Sequence, residues 1–114
     1  MSYKNISFEF KGKKFKIRAK ICGSFRRVKG LMFKSKENAE ALLFEFKKPV
    51  KMKIHSFFVF FDFISVWFDE NGKIIEARKI KPFTFCVASK KPFKKLLEIP
   101  INSKYENLIK LLRV

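Results

Sequence analysis

The chain is poor in the residues that carry most enzyme chemistry. It has one histidine, His55, and two cysteines, Cys22 and Cys86, set 64 positions apart. A zinc site draws about four Cys or His ligands from closely spaced pairs, so this inventory excludes one. Two reduced, buried thiols are the expectation, with a single bridge as the alternative where intracellular disulfides occur. The four glycines are scattered at turn positions, which leaves no Gly-rich loop to cradle a phosphate. Acids are scarce, 10 against 27 Lys and Arg. Asp62 and Asp69 lie seven residues apart across an apolar stretch, an odd separation that puts strand side chains on opposite faces and argues against a carboxylate pair. No apolar run approaches the roughly 20 residues that span a bilayer. The start, Met1-Ser2-Tyr3-Lys4-Asn5, lacks the apolar core of a signal peptide. A cytoplasmic protein without transmembrane segment or cofactor is the expectation.

What the chain has in excess is phenylalanine and positive charge. Sixteen Phe in 114 residues are enough to fill the core of one domain, because each buries roughly 150–250 Å². The formal net charge is +17. It is uneven: residues 1–36 carry twelve basic side chains against the single acid Glu9, an excess of +11, and the other 78 residues carry +6. Such a field attracts polyanions, although a Lys-rich surface also serves solubility.

Period-2 alternation marks the first elements. Ile6, Phe8 and Phe10 alternate with polar residues, and after Gly12 the pattern resumes at Phe15, Ile17, Ala19 and Ile21. This predicts a β-hairpin whose outer face carries Lys16, Arg18 and Lys20 in a row. Cation rows on exposed strands also keep edges from aggregating. Ser24 and Gly30 enclose a short helical turn over Phe25–Lys29, and Ala41–Phe46 suits a strand. The apolar run Phe57–Phe61 reads as a strand covered on both faces. Asp62 then sits at a bend, held by backbone N–H groups. Phe63–Phe68 is the next strand, followed by the turn Asp69-Glu70-Asn71-Gly72. Ile74–Ala77, Phe83–Val87 and Leu96–Ile99 complete the strands. Ser103-Lys104-Tyr105-Glu106 reads as a capping box opening a short amphipathic C-terminal helix. The expected fold is mostly β: one domain, a β-sandwich or barrel-like antiparallel sheet with one or two short helices.

A series of short segments in fixed order carries a resemblance. They are Gly30-Leu31-Met32-Phe33, Leu42-Leu43-Phe44-Glu45-Phe46, His55-Ser56-Phe57-Phe58-Val59-Phe60-Phe61, Val66-Trp67-Phe68-Asp69-Glu70-Asn71-Gly72-Lys73-Ile74-Ile75-Glu76, Lys81-Pro82, and Leu96-Leu97-Glu98-Ile99-Pro100. Together, from about Phe15 to Pro100, they resemble the domain-of-unknown-function family 192, also called uncharacterised protein family 0127, in an archaeal-type member. The resemblance implies a compact β-sandwich or barrel-like fold with little helix, and no activity. Many members carry a polar Trp-Met-Lys-Asn-Thr segment followed by Pro-Leu-Asp; this chain has His55-Ser56-Phe57-Phe58-Val59 and then Asp62-Phe63-Ile64.

Two kinds of site are candidates. Arg18, Lys20, Arg26, Arg27, Lys29 and Lys34 would form a polyanion surface if the hairpin's outer face adjoins the helical turn, since Arg forks suit phosphate oxygens. Nucleic acid, RNA more readily than DNA, is then the expected partner, with Tyr3, Phe25 and Phe33 as rings for stacking. The alternative is a small-ligand pocket near His55 and Asp62. His55 would need Ser56, Ser65 or Cys86 beside it for nucleophilic catalysis, and no pattern favours any of the three. A non-catalytic binding module is the leading expectation.

Overall fold

The computed structural model describes residues 2–22, 34–54, 56, 59–84 and 87–114. Among them six strands form one curled sheet: β1 (Tyr3–Phe10), β2 (Lys13–Cys22), β3 (Leu42–Val50), β4 (Phe63–Phe68), β5 (Ile74–Ile80) and β6 (Phe93–Pro100). The strand order is β1-β2-β3-β6-β4-β5. The sheet rolls into a half-barrel that brings β1 near β5. A 3-10 turn, Ser103–Tyr105, leads into the short helix α1 (Glu106–Leu112). The fold is therefore mostly β and barrel-like, with one departure from an antiparallel sheet: β2 and β3 run parallel over Lys20–Cys22 and Leu42–Phe44.

The hairpin follows its sequence closely. Lys11 and Gly12, with φ of 52° and 77°, make the two-residue turn that matches strand twist, and the β1–β2 register runs unbroken from Tyr3↔Lys20 to Phe10↔Lys13. The turn at 69–72 is also as expected. The Asp69 carboxylate accepts the N–H groups of Asn71 and Lys73, and Gly72 takes φ of 80°.

The core has two sides. Phe8, Phe15, Ile17, Leu43, Ile64, Val66, Phe68, Leu97 and Ile99 fill the concave side, where Leu112 of α1 closes over them. Phe44, Phe63, Trp67, Phe93 and Leu96 lie on the convex side, beneath Ile54, Val59, Phe61 and Val87 of the connecting loops. Each side chain fully buried in this way contributes roughly 1.5–3 kcal/mol. β4 is buried along its whole length because it is covered from both sides.

Several expectations change. Val59, Phe60 and Phe61 belong to no strand; they are part of the loop that covers the convex face, and Phe60 is 58% exposed. An apolar run fits a covering segment as well as a strand, and its pattern alone does not separate the two. Of the expected strand Phe83–Val87, the described residues show Val87 in a bridge with Ile54 and Phe83 in a turn with φ of 58°. Residues 36–38 form a turn. Asn102, not Ser103, caps the C-terminal helical segment through Lys104 N–H, and Ser103 instead donates to Glu37. The helical turn expected over Phe25–Lys29 lies outside the described residues.

Candidate functional site

The hairpin presents the first feature. Unbroken alternation sends Phe15, Ile17 and Ala19 inward and leaves Lys14, Lys16 and Arg18 exposed, with Lys20 half-buried. The Arg18 guanidinium lies 4.5 Å from the centroid of the Tyr3 ring. The Tyr3 hydroxyl donates to Glu40 Oε2 at 2.7 Å, and that hydrogen bond raises the phenol's pKa above its ordinary value. Below this contact the sheet opens. β2 pairs with β3 over three residues only, and the N–H of Ala41 turns aside to the Tyr105 hydroxyl at 2.7 Å. The result is a cleft of about 730 Å³ between the edge of β2 and the start of α1, lined by Tyr3, Lys16, Arg18, Glu40, Lys104 and Tyr105.

Lys34 is exposed. Arg26, Arg27 and Lys29, as well as Phe25 and Phe33, lie outside the described residues. The structure thus brings Arg18 and Lys20 onto one strand, and the rest of the expected cationic patch stands as a sequence expectation.

The second feature is a row of polar groups on the convex face. Cross-strand register aligns Leu42, Glu98, Ser65 and Arg78 on β3, β6, β4 and β5, with Phe44, Leu96, Trp67 and Glu76 in the next row. Glu98 is buried, and burial raises its pKa to about 7. Among the described residues, the Ser65 hydroxyl and the Trp67 indole N–H have no hydrogen-bond partner although both are fully buried. Burial also raises the pKa of the free thiol Cys22, and the charge of Glu98 adds to the effect. At the β5 end, Arg78 lies 5.3 Å from the Trp67 ring centroid, pairs with Glu76 at 2.9 Å and donates to the Ala88 carbonyl. Burial pushes the Glu76 pKa up, but hydrogen bonds from Arg78 and the Lys90 N–H outweigh it and hold the carboxylate below its usual range.

The pocket residues named from sequence fare differently. His55 lies outside the described residues. Its neighbour Ser56 is buried and structural: the hydroxyl donates to the Lys81 carbonyl and accepts the Thr84 N–H, both at 2.6 Å, which commits it to the loop. Asp62 is half-exposed and pairs with Lys79 at 3.6 Å, and among the described residues no backbone N–H reaches its carboxylate. Sequence reasoning passed over Glu98 and Trp67 as site residues and named Ser65 only as a conceivable partner of His55. Glu98 carried the same signal that drew attention to Asp62, a carboxylate inside an apolar run. Among the described residues, no three His, Cys, Asp or Glu side chains are placed to hold a metal ion. None of their helices is long and apolar enough to cross a membrane.

A half-barrel closed by one short helix, with a polar row on one face and an open cationic edge, defines a fold class and not a reaction. The chain belongs to the family DUF192, described as Uncharacterized ACR, whose model matches residues 7–110. No curated protein matches the chain. Two solved structures share the fold. One, a protein of unknown function from Novosphingobium aromaticivorans, has a TM-score of 0.75 at 14% identity over 93% of this chain and 78% of its own. The other, called a putative transcription regulator, from Sinorhizobium meliloti, has a TM-score of 0.76 at 14% identity over 94% of this chain and 86% of its own.

Proposed function

We propose that the protein is a non-catalytic binding module whose cationic β2 face takes a polyanion. The observation that supports this most directly is the unbroken outward row Lys14, Lys16 and Arg18 beside a cleft, in a chain of net charge +17. Lys20 on the same strand, and by sequence Arg26, Arg27, Lys29 and Lys34, add to the same charge. Nucleic acid is the partner expected from sequence, and the test begins there. Titrated with a single-stranded RNA at increasing salt, the protein should lose affinity with a log–log slope of about −0.7 for each phosphate neutralised. Replacing Arg18 and Lys20 with Ala should flatten that slope, and an unchanged slope would sink the assignment of this face. Arg26→Ala with Arg27→Ala tests the remainder of the patch in the same titration.

A second reading, a small-ligand pocket, draws on a different observation: the Ser65 hydroxyl and Trp67 N–H, which have no partner among the described residues, beside buried Glu98. Polar atoms buried without partners are costly, so their presence favours a role beyond packing. Asp62 and His55 are the residues that the sequence proposes for such a pocket. Asp62→Ala should then abolish a ligand-induced thermal shift without unfolding the protein. If Ser65→Ala raises stability and leaves every thermal shift in a panel of small amides and carboxylates unchanged, the pocket reading fails.

A further inference from the structure

The outward cations of β2 flank something that a charge count does not reveal, a row of backbone hydrogen-bonding groups that no strand meets among the described residues. Register fixes their direction. Ile21 N–H donates to the Ser2 carbonyl, so the odd-numbered residues of β2 turn their backbone groups toward β1. Lys20 N–H donates to the Ala41 carbonyl, so the even-numbered residues turn theirs the other way. Since the β1–β2 register has no shift, the N–H and C=O groups of Lys14, Lys16 and Arg18 all face away from β1. No strand meets them there among the described residues, because β3 pairs only with Lys20–Cys22.

A built contact keeps this edge open. Were the parallel ladder of β2 and β3 to continue one step back, Ala41 N–H would donate to the Arg18 carbonyl. The Tyr105 hydroxyl takes that N–H instead. Asn102 fixes the lead-in chain from the same side, its side-chain amide donating to the carbonyls of Lys36 and Ala39. Residues 36–41 are thus held off β2, and the cleft lies in the gap.

We propose that this edge is a docking site for an extended acidic polypeptide segment, which adds to the sheet as a strand between β2 and the 103–108 segment. The proposal rests on the reading that the β2 face takes an anionic partner, and it names the kind of partner. Strand addition draws affinity from main-chain hydrogen bonds and specificity from alternate side chains. On the outer face the alternate side chains of the incoming strand would lie beside Lys14, Lys16 and Arg18, which selects Asp and Glu. On the inner face they would meet Ile17 and Leu108 at the cleft wall, which selects apolar residues. The expected partner sequence therefore alternates acidic and apolar residues. Cations on an open edge normally prevent pairing between like chains. Here the same charge turns away a second copy of this basic protein and admits an acidic strand. A single-stranded RNA matches the charge but offers no amide ladder to the edge.

The test uses the full chain, labelled with nitrogen-15, and three probes: a peptide alternating Glu and Val, the same peptide N-methylated on the residues that would face β2, and a single-stranded RNA. Binding of the first peptide should slow hydrogen exchange at the Lys16 and Arg18 amides at least tenfold. N-methylation, which leaves charge unchanged, should weaken binding at least tenfold, as should Lys16→Glu combined with Arg18→Glu. If both peptides bind equally, or the amides stay unprotected, strand addition is overturned and a purely electrostatic surface stands. Strand addition is likewise overturned if RNA binds with the expected salt slope and the peptide does not bind. Should neither RNA nor peptide bind in a salt-dependent way, the polyanion reading itself fails, and with it this inference. Circular dichroism of the double variant guards against misfolding, and the N-methylated peptide tests the idea without altering the protein.

Discussion

β2 and β4 belong to the same sheet and are used in opposite ways. β4 is paired on both edges, by β5 and β6, and buried on both faces. β2 is paired along its full length with β1 alone, and its side chains alternate between buried and exposed. The residues match the surroundings: β2 alternates cations with apolar side chains, and β4 is apolar except for Ser65. Around β4 every polar atom is removed from water and must find a partner or carry a cost. Around β2 the lysines keep their water, and among the described residues no second strand pairs with Lys14–Arg18. The central strands therefore hold the fold together, while the hairpin contributes less buried surface.

The largest expected contrast comes from truncation at the centre. Trp67 is fully buried on the convex face beside Phe63 and Phe93. Trp67→Ala should cost about 3–5 kcal/mol in urea unfolding, combining lost transfer free energy with the cavity left behind. A cost near 1 kcal/mol would mean that the loops over this face collapse easily, and the distinction between the two strands would weaken.

Next in size is a pH effect confined to the central region. The carboxyl of Glu98 titrates near 4.5 when the chain is unfolded and at about 7 when it is folded. Between those values the native state holds a proton that the unfolded chain has released, so stability falls as pH rises through the window. Below it both states are protonated and the penalty disappears. Above it both are ionised and the full penalty remains, on the order of 3 kcal/mol at most. Denaturation midpoints measured from pH 4.5 to 8 should decline for the native protein and stay flat for Glu98→Gln. No difference between the two curves would show that Glu98 is solvated.

Between centre and edge stands Tyr105. Removing its hydroxyl leaves the N–H of fully buried Ala41 without its acceptor. Tyr105→Phe should cost about 1–3 kcal/mol by equilibrium unfolding. If the Ala41 N–H then pairs with the Arg18 carbonyl, the loss will be smaller and the cleft narrower, which amide exchange at Ala41 would detect.

How far these regions could be read from the residues follows from the same contrast. The hairpin is legible nearly to the residue, because one-sided burial writes a period of two into β1 and β2. Phe63–Phe68 is legible as a strand from its length and the Asn-Gly turn after it. The strand expected over Phe57–Phe61 fails at Val59–Phe61, since an apolar run without periodicity reads the same in a covering loop and in a buried strand. Asn102 escapes notice as a cap because Ser103 and Glu106 satisfy a local pattern, whereas the deciding contacts of Asn102 reach Lys36 and Ala39, more than 60 residues away. The polar row around Glu98 is hidden for a related reason. Ser65, Glu98 and Arg78 meet through strand pairing, and no sequence spacing announces it.

The smallest predicted effect bears most directly on the edge. Lys16 is exposed, and its backbone groups face away from β1, where no strand meets them among the described residues. Lys16→Ala should change stability by no more than about 0.5 kcal/mol, as expected for a surface position without a cap, partner or cavity. A larger loss would mean that the β2 edge is already engaged by the protein's own chain. A slight gain would fit a row of like charges that repel one another along the strand, and that gain should shrink as salt is added. In either of the last two results, measuring the same variant at low and high salt separates charge from packing: repulsion is screened, and a lost contact is not.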